Sequence, residues 1–307
     1  MSVISPRFSY HPPPISSRSN RRPRISCSSA PMDSSEKLRA KFMEFPYASA
    51  QQKALMVKLV SSVETRLGPS LQPCILPPDV QHFGNPNGTA HASIHLKSGI
   101  PSSQIDLILG SWIHCKLPSG GALNITSLSA YLKSSTDAPH FLIDLIQSSP
   151  TSLVLILDLT PRKDLILYPN YLKTYYEDTR MDKHRQYIQS LPEVRPYYSP
   201  SLYVRALISP TAILVNIDSG NSEAKTMEEI IRDHVGPVAE EMLQFWLDEC
   251  ACLEKCVEGD ERAYLEKRDE IVKSTTIEVD LGSSFPRLFG EEVAGRVLSV
   301  LKEYYNA

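Results

Sequence analysis

No apolar run in the sequence approaches the ~20 residues a membrane-spanning helix needs; the longest are of the LVLILDL kind. Excess positive charge is missing too. With 32 Lys and Arg against 35 Asp and Glu, the net charge is −3 and the pI near 6.3, so no global basic field invites nucleic acid. Neither GxGxxG nor GxxxxGKS/T occurs, and GNPNG (residues 84–88) lacks a phosphate-cradling context, which leaves a Rossmann-bound flavin or nicotinamide unsupported. A GxSxG nucleophile elbow is lacking. The eight histidines form no HExxH pattern, and His91 and His95, four apart, fall in a strand-like run where that spacing carries little weight. Of the six cysteines, Cys250, Cys252 and Cys256 cluster in CACLEKC, but the segment is helix-patterned and has no second CxxC-type pair. Reduced thiols or a regulatory disulfide suit it better than a metal.

Acidic residues are absent from the first 32 positions, which carry five Arg and nine Ser. That composition, without an apolar central run, predicts a transit peptide for plastid or mitochondrion and argues against a secretory signal. RISCS (residues 24–28) has the Ile-x-Cys pattern of plastid processing sites and places the cut after Cys27. Residues 28–307 then form a single domain with 27 basic against 35 acidic side chains, a charge of −8. Such a chain must concentrate its Lys and Arg locally if it is to receive an acidic partner.

What is present is a helix–sheet–helix order. Residues 34–45 and 48–68 show apolar residues at helical spacing, with Ser49 as cap and Gly68 as stop. From about residue 90 strand-like runs follow one another (ASIHLKSG, QIDLILGSWIHCKL, ALNITSLSAYL, HFLIDLIQ, SLVLILDL), separated by short turns that favour antiparallel neighbours. Residues 170–191 read as helix, 201–217 as one or two strands, and 226–256 as a long helix broken near Gly236-Pro237. Residues 258–274 continue helically, TIEVD reads as a short strand, and GEEVAGRVLSVLKEYY closes the chain. The expected fold is an α/β/α sandwich around one central antiparallel β-sheet, both of whose faces are covered.

The run HFLIDLIQ (residues 140–147) contains an oddity. As a strand it puts Phe141, Ile143 and Leu145 on one face and Leu142, Asp144 and Ile146 on the other, so an acid sits between apolar neighbours. Desolvation raises a carboxyl pKa, and an acid so placed can donate a proton near neutral pH. It can equally face solvent or pair with an arginine such as Arg205. Asp280 is a second candidate, with a turn-forming role as its plainer alternative. Arg205 can clamp a carboxylate or complete a structural ion pair.

A resemblance narrows these alternatives. KFMEFPYASAQQKALMVKLVSSVETRL, LPPDV, NPNGTAHASIHLKSG, GSWIHCKLPSG, LNITSLSAYL, FLIDLIQSS, RKDLILYPNYLKTYYEDT, SPSLYVRALISPTA and FPRLFGEEVAGRVL closely resemble the plant red chlorophyll catabolite reductase family, over nearly all of residues 41–307. The resemblance implies kinship with the ferredoxin-dependent bilin reductases and an α/β/α sandwich enclosing an open-chain tetrapyrrole. The implied reaction reduces one methine bridge of red chlorophyll catabolite to a primary fluorescent catabolite during senescence. Electrons would come singly from reduced ferredoxin, with no metal or flavin bound. It also implies a homodimer, an association with pheophorbide a oxygenase, and residence in the chloroplast stroma, with the mitochondrion as a second site.

By the same resemblance, Asp144 aligns with a strand acid, often Glu in relatives, that the family presents to its substrate. Asp280 aligns with the second acid, and Ile208 with a side chain that sets the face of the new stereocentre; Arg205 joins them as a substrate-binding residue. Arg180, Lys183 and Arg185 are candidates for the ferredoxin patch, against a solvated helix face. A phytobilin-forming reductase and a non-catalytic tetrapyrrole carrier remain the alternatives.

Overall fold

The computed structural model describes residues 34–118, 120–220, 225–253 and 256–305, the side chain of Asp280 excepted. The expected leader, residues 1–27, lies outside the described residues.

The runs with a two-residue period form the strands: β1 (His82–Gly84), β2 (Ala90–Ser98), β3 (Ile105–Lys116), β4 (Ala122–Leu132), β5 (His140–Ser149), β6 (Ser152–Thr160), β7 (Val194–Pro196) and β8 (Ile213–Asp218). Among the described residues they make one eight-stranded antiparallel sheet in the order β1-β2-β3-β4-β5-β6-β8-β7. Alternation then assigns each strand's residues to two faces.

One face is closed. Phe141, Ile143 and Leu145 of β5 and Leu153, Leu155 and Leu157 of β6 are at most 1% exposed. They pack under α1 (Ser34–Phe42), α2 (Ala50–Leu67), α7 (Met227–Ile230) and α8 (Gly236–Trp246), in one core with Met56, Leu59, Met242 and Trp246. Burying each such side chain contributes about 1.5–3 kcal/mol. Ser49 caps α2 as expected, its hydroxyl accepting the Gln52 N–H. Two indoles lock this layer to the chain: Trp112 donates to the Phe42 carbonyl and Trp246 to the Pro139 carbonyl, each at 3.0 Å.

Gly236-Pro237 does not break its helix. A π-turn (Ile231–Val235) precedes α8, and the Gly236 N–H bonds the Ile231 carbonyl, one residue further back than in an α-helix. The wider turn makes room for the ring of Pro237, which in a regular helix would clash with the carbonyl four residues back. The helix expected over 170–191 is interrupted: α4 (Pro169–Leu172) and a π-turn (Lys173–Glu177) are separated from α5 (Met181–Gln189) by a bend in which the Thr179 hydroxyl takes the freed carbonyls of Tyr175 and Tyr176.

The other face carries α3 (Pro78–Gln81), α9 (Gly259–Thr276), α10 (Gly282–Phe289) and α11 (Glu291–Tyr305). Phe285, Phe289, Val297 and Leu301 seal Ala90, Ala92, Ile94 and Leu96 of β2. Two expected strands prove helical here. TIEVD continues α9 through a π-turn (Ile277–Leu281), where Ile277 is buried against β2 and β3, so packing overrides the strand preference of its branched residues. Residues 201–207 also coil: Ser201 caps α6 (Leu202–Leu207) by accepting the Val204 N–H, and only the second half of the expected run becomes β8. The architecture is the expected α/β/α sandwich, with one difference. From β3 onward the second helical layer leaves its face incompletely covered.

Candidate functional site

The incompletely covered strip runs over β3 to β6, with Leu109 and Ile113 of β3 at its border still packed against the second layer. Leu109, Ser111 and Ile113, then Ile125, Ser127 and Ser129, then Leu142, Asp144 and Ile146, then Val154 and Ile156 are all half-buried, whereas the residues between them on the same strands are almost all buried. Register puts Ser111, Ser127, Asp144 and Ile156 side by side in one row across four strands. Side chains so paired stand about 4.5–5.5 Å apart at Cβ. Asp144 therefore occupies the middle of an apolar floor with hydroxyls on one flank. It is half-buried, not sealed, although His140 at the start of the same strand and on the same face is covered by α9.

Hydroxyls on the two faces behave differently. On the closed face Thr126 accepts from the Gln52 amide at 2.9 Å and Ser93 donates to the Gln81 carbonyl at 2.9 Å. The hydroxyls of the open-face serines, Ser111, Ser127 and Ser129, make no hydrogen bond among the described residues.

A second acid lies on this face and was passed over in the sequence. Asp158, inside LVLILDL, stands opposite Leu142 and diagonal to Asp144. It is fully buried, and its carboxylate accepts the Ser209 N–H at 2.9 Å and the Ser209 hydroxyl at 2.5 Å. Burial pushes its pKa up to about 6 against the pull of those hydrogen bonds. The signal was available, since an acid within an apolar strand is the pattern that marks Asp144.

At one end of the floor a buried cluster ties α9 to the sheet. His140 accepts the Leu132 N–H at Nδ1 (3.1 Å) and bonds Asp269 Oδ1 through Nε2 (3.2 Å), while the Arg162 guanidinium forks onto the same carboxylate. Because Nδ1 accepts, the ring is neutral and Nε2 carries the proton. Burial lowers the His140 pKa to about 4. Burial opposes the charge on Asp269, but the His140 N–H and Arg162 overcome it and hold that carboxyl well below the usual range. Further along α9, Lys273 pairs with Asp106 at 2.9 Å.

The other expected residues divide. Ile208 is half-buried at the C-terminus of α6, next in the chain to the Ser209 that bonds Asp158. Arg205 is exposed on α6 and makes no ion pair among the described residues, so it does not neutralise Asp144. Asp280 falls in the π-turn before α10, and its side chain lies outside the described residues. Arg180 pairs with Glu241 and Arg185 with Asp182, leaving Lys183 exposed between them. Their helix, α5, packs on the closed face through Ile188, behind the sheet from Asp144. Cys250 is buried in the core while Cys252 and Cys256 are exposed, so the three thiols share no common environment.

The arrangement of one antiparallel sheet between helical layers is shared with a solved structure. Phytochromobilin synthase from tomato, solved in complex with biliverdin, matches it with a TM-score of 0.65 over 83% of each chain, at 19% identity. Sequence relations are closer. The red chlorophyll catabolite reductase (RCC reductase) family profile matches residues 51–303. Red chlorophyll catabolite reductase, chloroplastic, of Arabidopsis thaliana is 55% identical over 94% of this chain and 90% of its own length. Red chlorophyll catabolite reductase 1, chloroplastic, of Oryza sativa subsp. japonica is 49% identical over 81% of this chain and 76% of its own. The chain belongs to the red chlorophyll catabolite reductase family.

Proposed function

We propose that this protein reduces one methine bridge of red chlorophyll catabolite in the chloroplast, yielding the primary fluorescent catabolite. Two electrons arrive one at a time from reduced ferredoxin and two protons complete the saturation of one double bond, without a resident metal or flavin. The open strip is the substrate floor. A flat, largely apolar open-chain tetrapyrrole would cover its branched side chains, and burying that wet surface supplies affinity at about 25 cal/mol per Å².

The observation that carries this reading is the position of Asp144 at the centre of that strip, in a chain of this family. A singly reduced tetrapyrrole must be protonated at a chosen carbon, which needs a fixed acid and little competing water. Asp144 is the proton donor, and Asp280 shares in positioning and protonation. Ser127, directly across from Asp144, offers a hydroxyl that can accept from a pyrrole N–H or donate to a lactam oxygen. Ile208 sets which face of the bridge receives the proton. Ferredoxin is acidic and this chain is acidic as well, so docking relies on a local basic patch and weakens with salt.

The test is anaerobic turnover with reduced ferredoxin, offering red chlorophyll catabolite and biliverdin separately to the wild type and to Asp144→Asn and Asp280→Asn. A fluorescent product from the red catabolite, lost in the variants while binding persists, is expected. Reduction of biliverdin alone would indicate a phytobilin reductase, and binding without product would indicate a carrier.

A further inference from the structure

The ladder between β6 and β8 ends at Leu157 and Ile213. One residue beyond it, the Asp158 side chain takes over the link, holding the Ser209 N–H and hydroxyl at 2.9 and 2.5 Å. Ser209 in turn receives the Thr211 N–H at 3.1 Å and lies 3.0 Å from the Thr211 hydroxyl, and the Ala212 N–H bonds the Ser209 carbonyl at 3.2 Å. These groups form a closed knot: Asp158, Ser209 and Thr211 are all buried. The knot immediately follows Ile208, whose own N–H still bonds α6 at the Val204 carbonyl.

Fully covered by the chain, Asp158 cannot touch a substrate. Its two hydrogen bonds instead fix where the segment 208–212 stands relative to the sheet floor. We infer that Asp158 is a positioning residue for stereochemistry: through Ser209 it holds the Ile208 side chain at the height that makes one face of the substrate the protonated one. This rests on the proposed function and on the role given there to Ile208. Face choice is a small energy difference between two poses, so a modest displacement of one wall residue is enough to mix products.

The test uses full-length protein with three substitutions. Asp158→Asn keeps an acceptor for the Ser209 N–H and a donor for its hydroxyl, Asp158→Leu removes both links, and Ser209→Ala removes one. Leu155→Ala, on the closed face, serves as a control that destabilises without touching the knot. Product epimers are separated chromatographically after turnover of red chlorophyll catabolite. A single epimer is expected from wild type, Asp158→Asn and Leu155→Ala. The minor epimer should rise to about a tenth of the product or more in Asp158→Leu, and to a smaller share in Ser209→Ala. A single epimer from both Asp158→Leu and Ser209→Ala would overturn the inference, and Ser209→Ala decides it if Asp158→Leu does not fold. Amide exchange at Ser209 reads the anchor without substrate: protection is expected in wild type and Asp158→Asn and lost in Asp158→Leu. Absence of product from wild type would sink the proposed function and the stereochemical role with it, while an unprotected Ser209 amide in wild type would sink the anchor itself.

Discussion

Within β5, Phe141, Ile143 and Leu145 are sealed beneath the α2 and α8 layer, while Leu142, Asp144 and Ile146, each one residue away, keep partial access to solvent. The strand is thus two surfaces on one backbone. Its closed side is packed by the protein itself and holds the fold together. Its open side leaves apolar surface wet, at a cost to stability that only a bound molecule recovers. Substitutions on the two sides should therefore separate stability from turnover.

The largest effects come from neighbours on β5. Asp144→Asn should lower turnover about 100-fold or more, as removal of a positioned proton donor does, while shifting the melting temperature by no more than about 2 °C. Phe141→Ala should do the opposite, costing about 3–5 kcal/mol of stability and leaving the folded fraction active. If Phe141→Ala removed activity at unchanged stability, the division between the faces would fail.

Next in size is the clamp at the end of the floor. Asp269→Asn leaves Arg162 buried without its counter-charge, and about 3–5 kcal/mol should be lost in denaturant titration. The same cluster sets an acid limit. His140, neutral when folded with a pKa of about 4, binds its proton more readily in the unfolded chain, so its contribution falls between pH ~6.5 and 4. The depressed Asp269 carboxyl contributes above its unfolded pKa and withdraws support as the pH drops below ~4. Melting curves across that range should be shallower in a His140→Gln variant.

Asp158 has the reverse sign. A folded pKa raised to about 6 means its contribution is complete below ~4 and lost as pH rises through 6, on the order of 3 kcal/mol by pH 7. Asp158→Asn should remove that decline, so the variant should gain on wild type as pH goes from 4 to 7. Parallel melting-temperature profiles would show that the buried carboxyl titrates normally. Smallest is Ser127→Ala, which should raise KM about fivefold with kcat nearly unchanged, the expected weight of one lost hydrogen bond.

Much of this was legible beforehand. The two-residue period identified the meander, its antiparallel sense and the face that Asp144 occupies, because alternation is a local property. Helical layers on both sides followed from the element order. How far the second layer reaches did not, since coverage of β4 to β6 depends on where α9 and α10 settle, and no strand records that. Residues 201–207 and TIEVD misled because their branched and aromatic residues suit a strand, while a Ser201 cap in one case and burial of Ile277 in the other decide for helix. Asp158 was hidden by the run that contains it: LVLILDL looks apolar until the acid is asked for a partner.

The sheet's outermost strands, β1 and β7, are three residues each, and β7 ends in Pro196. Where β1 stops, the Leu71 bridge to Gly99 and the Gln72 N–H on Ser98 occupy the far end of β2. Among the described residues, neither rim offers a long row of unpaired backbone groups to another chain. A sheet with apolar surface left partly exposed on one face is thereby denied the easiest route to fibrous aggregation, strand added to strand.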